Sequence, residues 1–184
     1  MNTETDLEII CAFENASLGM MVTKDRVIQV CNLQFCKMFQ YEKAELVDQS
    51  LRKLYPSDDD FERMGVLGIK RMEGTGRSDD IRVMKRKDGS LFWVRGQGSS
   101  LTPDTPFAHT VWCFEDISSK TPMVELSKRE RQVAMLVMEG KSAKEIARVL
   151  DLSPRTVESH RARLLKKYNV STTGELISHL ASAH

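Results

Sequence analysis

Residues 142–167 read SAKEIARVLDLSPRTVESHRARLLKK. Two helix starts lie inside this stretch. Ser142 followed by Glu145 makes a capping box, in which each side chain satisfies a backbone N–H that the first turn leaves free. Ser153 followed by Pro154 is the second start, because proline suits the first helical position, where its missing N–H costs nothing. The predicted helices, 143–150 and 154–168, are separated only by Asp151-Leu152-Ser153. Two helices joined by so short a turn predict a helix-turn-helix. Ala147 is small where the helices cross, and Ile146, Leu150, Leu152 and Val157 are apolar where a shared core is needed.

The same signals recur on both sides. Ser127–Glu130 and Thr172–Glu175 repeat the capping box, and Gly140 is a C-terminal stop. Helices are predicted at 128–139 and 173–182, four in all after residue 126. In the third of them, with Val157 at 0° and about 100° per residue, Val157, Leu164 and Tyr168 fall within about 20° of one line and Leu165 at about 80°. That is a core stripe, flanked by His160 and Arg161. Arg155, Ser159, Ala162, Arg163 and Lys166 collect on the opposite face, with Glu158 to one side and Lys167 to the other. Small residues in the middle permit close approach to a groove, and the surrounding cations reach phosphates and guanine edges. A stripe of this kind on an isolated helix would be no more than a solvated face; the preceding helix and tight turn favour the duplex.

Composition fits two small units. The chain has 184 residues, 41% hydrophobic and 29% charged, which is ordinary for a globular protein. Residues 1–122 hold 16 Lys and Arg against 19 Asp and Glu, whereas residues 123–184 hold 11 against 7. A basic unit joined to a mildly acidic one suggests a polyanion binder with a partner domain. No apolar run approaches the roughly 18 residues of a membrane span, so no membrane partner is expected. The opening MNTETDLEIICAFENAS carries no Lys or Arg and does not read as a secretory signal, so a cytoplasmic location is expected. Cys11, Cys31, Cys36 and Cys113 form no C-x-x-C pair and read as reduced, mostly buried thiols. An enzyme reading lacks its parts: there is no glycine-rich phosphate loop, H-E-x-x-H or G-x-S-x-G. Neither a catalytic residue nor a metal site is expected; Asp58-Asp59-Asp60 reads as a solvated helix start.

The division falls at Ser118-Ser119-Lys120-Thr121-Pro122-Met123, a polar stretch with a proline and no periodicity. Before it, Leu7, Ile10 and Cys11 recur at helical spacing and predict a short helix over 6–16. Strands follow at Gly19–Thr23 and Val27–Val30, then helical pieces from Leu33 to Met64, broken at Pro56. A longer helix is predicted over Met64–Glu73, then strands at Asp80–Arg86, Leu91–Ser100 and Ala108–Ile117. Asp88-Gly89 marks a hairpin between the first two of these. That order implies an antiparallel sheet with helices on one side, an α+β fold overall. Gly96 and Gly98 share a strand face with Val94. The missing side chains leave room for a ligand, allow close helix packing, or mark a bulge. Met20, Met21, Met38, Met64, Met72 and Met84 point to an adaptable interior, or simply to core.

Residues 126–180, from Leu126-Ser127-Lys128-Arg129-Glu130 through Gly140, Ile146-Ala147, Leu152-Ser153, Thr156-Val157, His160 and Leu164–Lys167, closely resemble the LuxR/FixJ-type DNA-binding domain. The resemblance implies a four-helix unit whose third helix enters the major groove of double-stranded DNA, and a fourth helix that pairs two domains on a pseudo-palindromic operator. By position, base reading would fall to Glu158, Ser159, Ala162 and Arg163. Backbone anchoring would fall to Lys144, Arg155, Thr156, His160, Lys166 and Lys167. Glu158 could contact a base or pair with a neighbouring arginine. Leu176, Ile177 and Leu180 would form the dimerisation face, or close the four-helix core instead.

Residues 8–118 resemble the PAS domain, through Asn32 with Phe39, Tyr41 with Glu45-Leu46, Leu54-Tyr55-Pro56, Lys87-Asp88-Gly89-Ser90 with Phe92-Trp93-Val94, and Asp116-Ile117-Ser118. This implies a five-stranded antiparallel sheet with helices on one face, a pocket between them, and dimerisation through the domain. Val94, Gly96 and Gly98 are the pocket candidates. The cofactor is left unnamed. Leu51 stands where light-sensing members place the flavin-reactive cysteine, which disfavours flavin photochemistry. His109, at a strand start, is a poor haem ligand. The expected organisation is a PAS sensor over 8–118, a linker over 119–125 and a helix-turn-helix unit over 126–184. The functional expectation is a homodimeric, sequence-specific transcription regulator that senses a small ligand, redox state or partner. The alternative is a ligand-free PAS adaptor that dimerises or docks a protein, with DNA binding secondary.

Overall fold

A computed structural model describes residues 3–118 and 124–181. The chain is α+β, a five-stranded antiparallel sheet with helices on one face followed by a four-helix unit. Helix α1 (Thr3–Glu14) leads into β1 (Gly19–Lys24) and β2 (Val27–Cys31), then α2 (Leu33–Phe39). Two 3₁₀ turns, Lys43–Glu45 and Leu51–Leu54, precede α3 (Asp58–Met72). The unit closes with β3 (Arg77–Lys85), β4 (Leu91–Ser100) and β5 (Thr110–Asp116). The sheet order is β2-β1-β5-β4-β3, which brings the first strand against the last. Buried Asn32 fixes that crossing. Its Oδ1 accepts from the N–H groups of Met20 and Phe35, both at 2.9 Å. Its Nδ2 donates to the carbonyls of Phe13 (3.0 Å) and Leu18 (2.9 Å). One side chain thus joins the end of α1, the start of β1 and the cap of α2, with every hydrogen-bonding position filled.

Four sequence expectations need correction in this half. Helix α1 spans 3–14 rather than 6–16, and its Leu7, Ile10 and Cys11 face outward, so its apolar spacing marks an uncovered surface. Two of the four thiols are buried, Cys31 and Cys36, with sulfurs 3.7 Å apart. Helix α3 begins at Asp58, six residues early, because Ser57 Oγ caps it by accepting from the Asp60 N–H at 3.2 Å. The three aspartates then occupy the first turn, where the helix dipole favours them. They are not simply solvated, since Asp60 is 2% exposed.

The second half contains α4 (Lys128–Met138), α5 (Ala143–Leu150), α6 (Pro154–Tyr168) and α7 (Thr173–Ala181). The capping boxes at Ser127–Glu130 and Ser142–Glu145 form as the spacing predicts, and Pro154 opens α6. At α7 the box is shifted. Thr172 caps Glu175, but the Glu175 carboxylate returns to the Ser171 N–H at 2.7 Å. The turn between α5 and α6 passes through Asp151 in the left-handed region (φ 52°), and the Leu152 N–H closes it on the Ala147 carbonyl at 2.9 Å. Short polar residues tolerate that conformation better than most. The connecting residues 119–123, most of the expected linker, and the last residue of the expected 173–182 helix lie outside the described residues.

Helix α4 is buried all round from Val133 to Val137. One side packs on the core of its own unit; the other lies against β3 and α3. Polar contacts stitch this seam. Asp60 accepts from Gln132 at 3.4 Å and pairs with Arg131 at 3.5 Å, Asp59 pairs with Lys128, and Arg71 pairs with Glu139. Trp93 of β4 donates its indole N–H to the Tyr168 hydroxyl at 3.1 Å, and both residues are buried.

Candidate nucleic-acid interface and interior cavity

The outer face of α6 is open. Val157, Leu164 and Tyr168 are buried, as the helical spacing requires. Arg155, Glu158, Ser159, Ala162, Arg163, Lys166 and Lys167 are exposed, and Thr156 and His160 are half-buried. Lys144 is exposed on α5. The sites differ in how free they are. Glu158 pairs with Arg161 at 3.0 Å, and Arg161 also donates to Thr173 at 2.7 Å, so this carboxylate is tied to the α7 junction. Ser159 donates to the Arg155 carbonyl at 3.1 Å, a local bond that a groove contact can replace. Thr156 supports the cap, with its hydroxyl 2.8 Å from that of Ser153. His160 has a buried Nδ1 without a hydrogen-bond partner. Lys167 is committed to its own unit, donating to the Glu125 carbonyl (2.7 Å) and pairing with Glu130 (2.8 Å). Burial pushes the Glu130 carboxyl up, but Lys167 and the Ser127 cap outweigh it and hold the group below the usual range.

Leu176 and Leu180 are 1% and 0% exposed and close the four-helix core. Residues so placed cannot also supply an intermolecular face. Ile177 is half-buried and borders a surface groove with Val137 and Lys141.

The interior of the N-terminal unit departs from the sequence expectation. Val94, Gly96 and Gly98 are all buried on β4, but none of them lines the interior cavity; Gly98 borders instead an open groove of about 590 Å³ with Arg77, Gln97, Val111 and Cys113. A Cβ on Gly98 would stand 2.6 Å from Trp112 and 2.7 Å from Met72; one on Gly96 would stand 3.2 Å from Arg82 and Phe114. Packing therefore leaves no room for a side chain at Gly98, and one at Gly96 would oblige Arg82 or Phe114 to shift by a few tenths of an ångström. A small, largely enclosed cavity lies next to them, walled by Arg26, Tyr55, Met64, Arg82, Phe107 and Trp112, among others. It measures only about 10 Å³, room for one water at most.

Charge lies at its edge. Arg82 is fully buried and forks onto Asp80, Nε to Oδ1 and Nη2 to Oδ2, each at 2.5 Å. Its Nη1 donates to the Tyr55 hydroxyl at 3.0 Å. Burial lowers the Arg82 pKa, but Asp80 alongside outweighs it and keeps the guanidinium charged. Asp80 also accepts from Arg71 at 2.8 Å. Arg26 lies over the Phe61 ring at 3.4 Å and donates to the Phe61 carbonyl at 2.6 Å. Gly65 makes this possible, since a Cβ there would meet Arg26 at 2.5 Å. None of these arginines was singled out from the sequence. Arg82 sits at an inward position of a strand, and an arginine on an apolar face was the available signal.

Residues 17–119, more than half of the chain, match the PAS domain family, and residues 124–180 match the bacterial regulatory proteins of the luxR family. The chain belongs to the PAS family and carries a luxR-type regulatory domain. This PAS–LuxR chain is similar over 51 residues to the transcriptional regulatory protein UhpA of Salmonella typhimurium, at 57% identity, covering 28% of this chain and 26% of UhpA. Its PAS unit is similar to that of a LuxR-family transcriptional regulator from Burkholderia thailandensis, solved in complex with ethanol. That match has 40% identity and a TM-score of 0.58, and covers 59% of this chain and 96% of the other. Over 96% of its length, and 87% of the other, the PAS–LuxR chain shares the fold of Vibrio cholerae VqmA, with 18% identity and a TM-score of 0.52. The chain spans about a fifth to a third of the length of the curated relatives it matches. Among the described residues, no helix is long and apolar enough to cross a membrane.

Proposed function

We propose that the PAS–LuxR chain is a cytoplasmic, non-enzymatic transcription regulator that binds a pseudo-palindromic DNA operator as a homodimer. Residues 126–184 bind DNA, residues 119–125 link, and residues 8–118 sense a signal that changes how the DNA-binding units are arranged. One observation carries this reading: the cationic face of α6 is exposed along its length, with small Ser159 and Ala162 at its centre. Ser159, Ala162 and Arg163 are positioned to read bases, and Glu158 to do so after leaving Arg161. Phosphate anchoring is assigned to Lys144, Arg155, Thr156, His160 and Lys166, and to Lys167 after it leaves Glu130. A pairing surface is supported on α1, where Leu7 and Ile10, one helical turn apart, are 63% and 56% exposed; Val30 and Leu33 are exposed as well. Burying such a patch against a second copy removes apolar area from water.

The test is duplex binding by the full chain. Bulky replacements at Ser159 or Ala162 change which sequences are preferred, and Lys166→Ala weakens all sequences alike. Unchanged binding in both variants overturns the assignment of α6. A second reading, a ligand-free PAS adaptor, is favoured by the nearly filled interior. Native mass spectrometry separates the two, because a retained small molecule supports the sensor and a clean apo-dimer supports the adaptor.

A further inference from the structure

The sensor cavity and the DNA-binding unit are joined by an unbroken row of alternating charges. Arg82 at the cavity wall grips Asp80, Asp80 grips Arg71 at the end of α3, and Arg71 pairs with Glu139 at the C-terminal cap of α4. The first two members are at most 6% exposed. The last pair borders a groove of about 430 Å³ between the two units. Resting on the reading of residues 8–118 as a sensor, we propose that the cavity takes a small carboxylate, and that its negative charge is passed along Arg82–Asp80–Arg71–Glu139 to loosen α4 from the PAS unit.

Charge balance selects the ligand class. Two guanidinium groups, Arg26 and Arg82, face the cavity. Among the described residues, no carboxylate lies within salt-bridge distance of Arg26, and the Asp80 carboxylate is divided between Arg82 and Arg71. Arg82 is thus matched by Asp80, whereas Arg26 has only the more distant charge of Glu62, in surroundings where poorly paired charge is costly. A guanidinium fork suits a carboxylate, and Arg82 has one nitrogen, Nη1, held only by the neutral Tyr55 hydroxyl.

The direction of the signal follows from electrostatics. A carboxylate on Arg82 competes with Asp80 for the same cation. Asp80, released in part, turns its charge to Arg71. Arg71 then has less attraction left for Glu139, and the bridge to α4 weakens. Size acts in the same sense. A cavity of about 10 Å³ admits no ligand without moving its walls, and Arg82 is one of them. Met64 and Met84, flexible thioether chains, are walls that can yield.

The experiment titrates acetate and benzoate, with acetamide and benzamide as neutral matches, into the full chain. Calorimetry reads binding, and hydrogen exchange of the amides in 128–138 reads the docking of α4. The expected result is at least tenfold tighter binding of one carboxylate over its amide, with severalfold faster exchange in 128–138 at saturation. Glu139→Gln, which leaves the cavity intact, should exchange at the faster rate without ligand and show no further rise with it. Arg26→Gln, at a half-buried position, should lose the carboxylate preference while remaining folded. Equal binding of acid and amide, or no binding of either, overturns the carboxylate assignment. Binding that leaves exchange in 128–138 unchanged overturns the relay. Duplex affinity of the unliganded chain and its Lys166→Ala variant is measured alongside. Loss of that effect with the relay intact refutes the regulator reading alone.

Discussion

The protein uses cations in two opposite ways. Arg82 and Arg71 are drawn inward and matched against Asp80 and Glu139. Arg155, Arg163 and Lys166 stand on α6 in water, and no ion pair forms to them among the described residues. Buried charge is expensive to leave unmatched, so the inner set is bound to the stability of the PAS unit and its seam with α4. Exposed charge has small effects on folding and remains free to neutralise a polyanion. Stability and DNA affinity should therefore separate cleanly between the two sets.

The largest effect that would break this contrast is at Asp80. Asp80→Ala leaves Arg82 buried and uncompensated, and urea unfolding should show a loss of about 3–5 kcal/mol. A loss near zero would mean that the inner arginine is not held as described. Next comes the seam. Tyr168→Phe leaves the Trp93 indole N–H without its acceptor and should cost about 1–3 kcal/mol by the same measurement. Lys167 sharpens the contrast because it belongs to both sets. Its pairing holds the Glu130 carboxyl below the usual range, so the stability it contributes is present above the unfolded Glu value and is lost as pH falls through the lower folded one. Urea midpoints of wild type and Glu130→Gln should therefore converge on acidification, and a constant gap would place the contribution elsewhere. Smallest of all, Arg155→Ala and Lys166→Ala should leave unfolding within about 0.5 kcal/mol of wild type.

The difference also explains what could be read from the sequence. The caps of α4, α5 and α6 are local signals, in which Ser127, Ser142 and Ser153 act within four residues of themselves, and they appear where the spacing puts them. The outward face of α6 follows from its periodicity alone. The interior of the PAS unit depends on pairs distant in sequence, such as Arg26 against Phe61 and Gly65, and Tyr55 against Arg82. Nothing local marks these. The seam leaves one trace in the sequence. The run Val133-Ala134-Met135-Leu136-Val137-Met138 is apolar around most of the helix, and a helix apolar on all sides needs cover on all sides. Gln132 within that buried surface and Asp60 at the start of α3 are polar partners across it. Leu176 and Leu180 show the reverse ambiguity, since a single apolar face serves equally for a core and for a dimer, and both side chains are buried within their own unit.

The central claim is that the open cationic face of α6 engages a duplex. Its most direct test is the salt dependence of full-chain binding to duplex DNA, compared with Lys166→Ala. The account predicts a log–log slope that is shallower in the variant by about one, with weaker binding to every sequence and unchanged folding. An identical slope and affinity in the two proteins would contradict it.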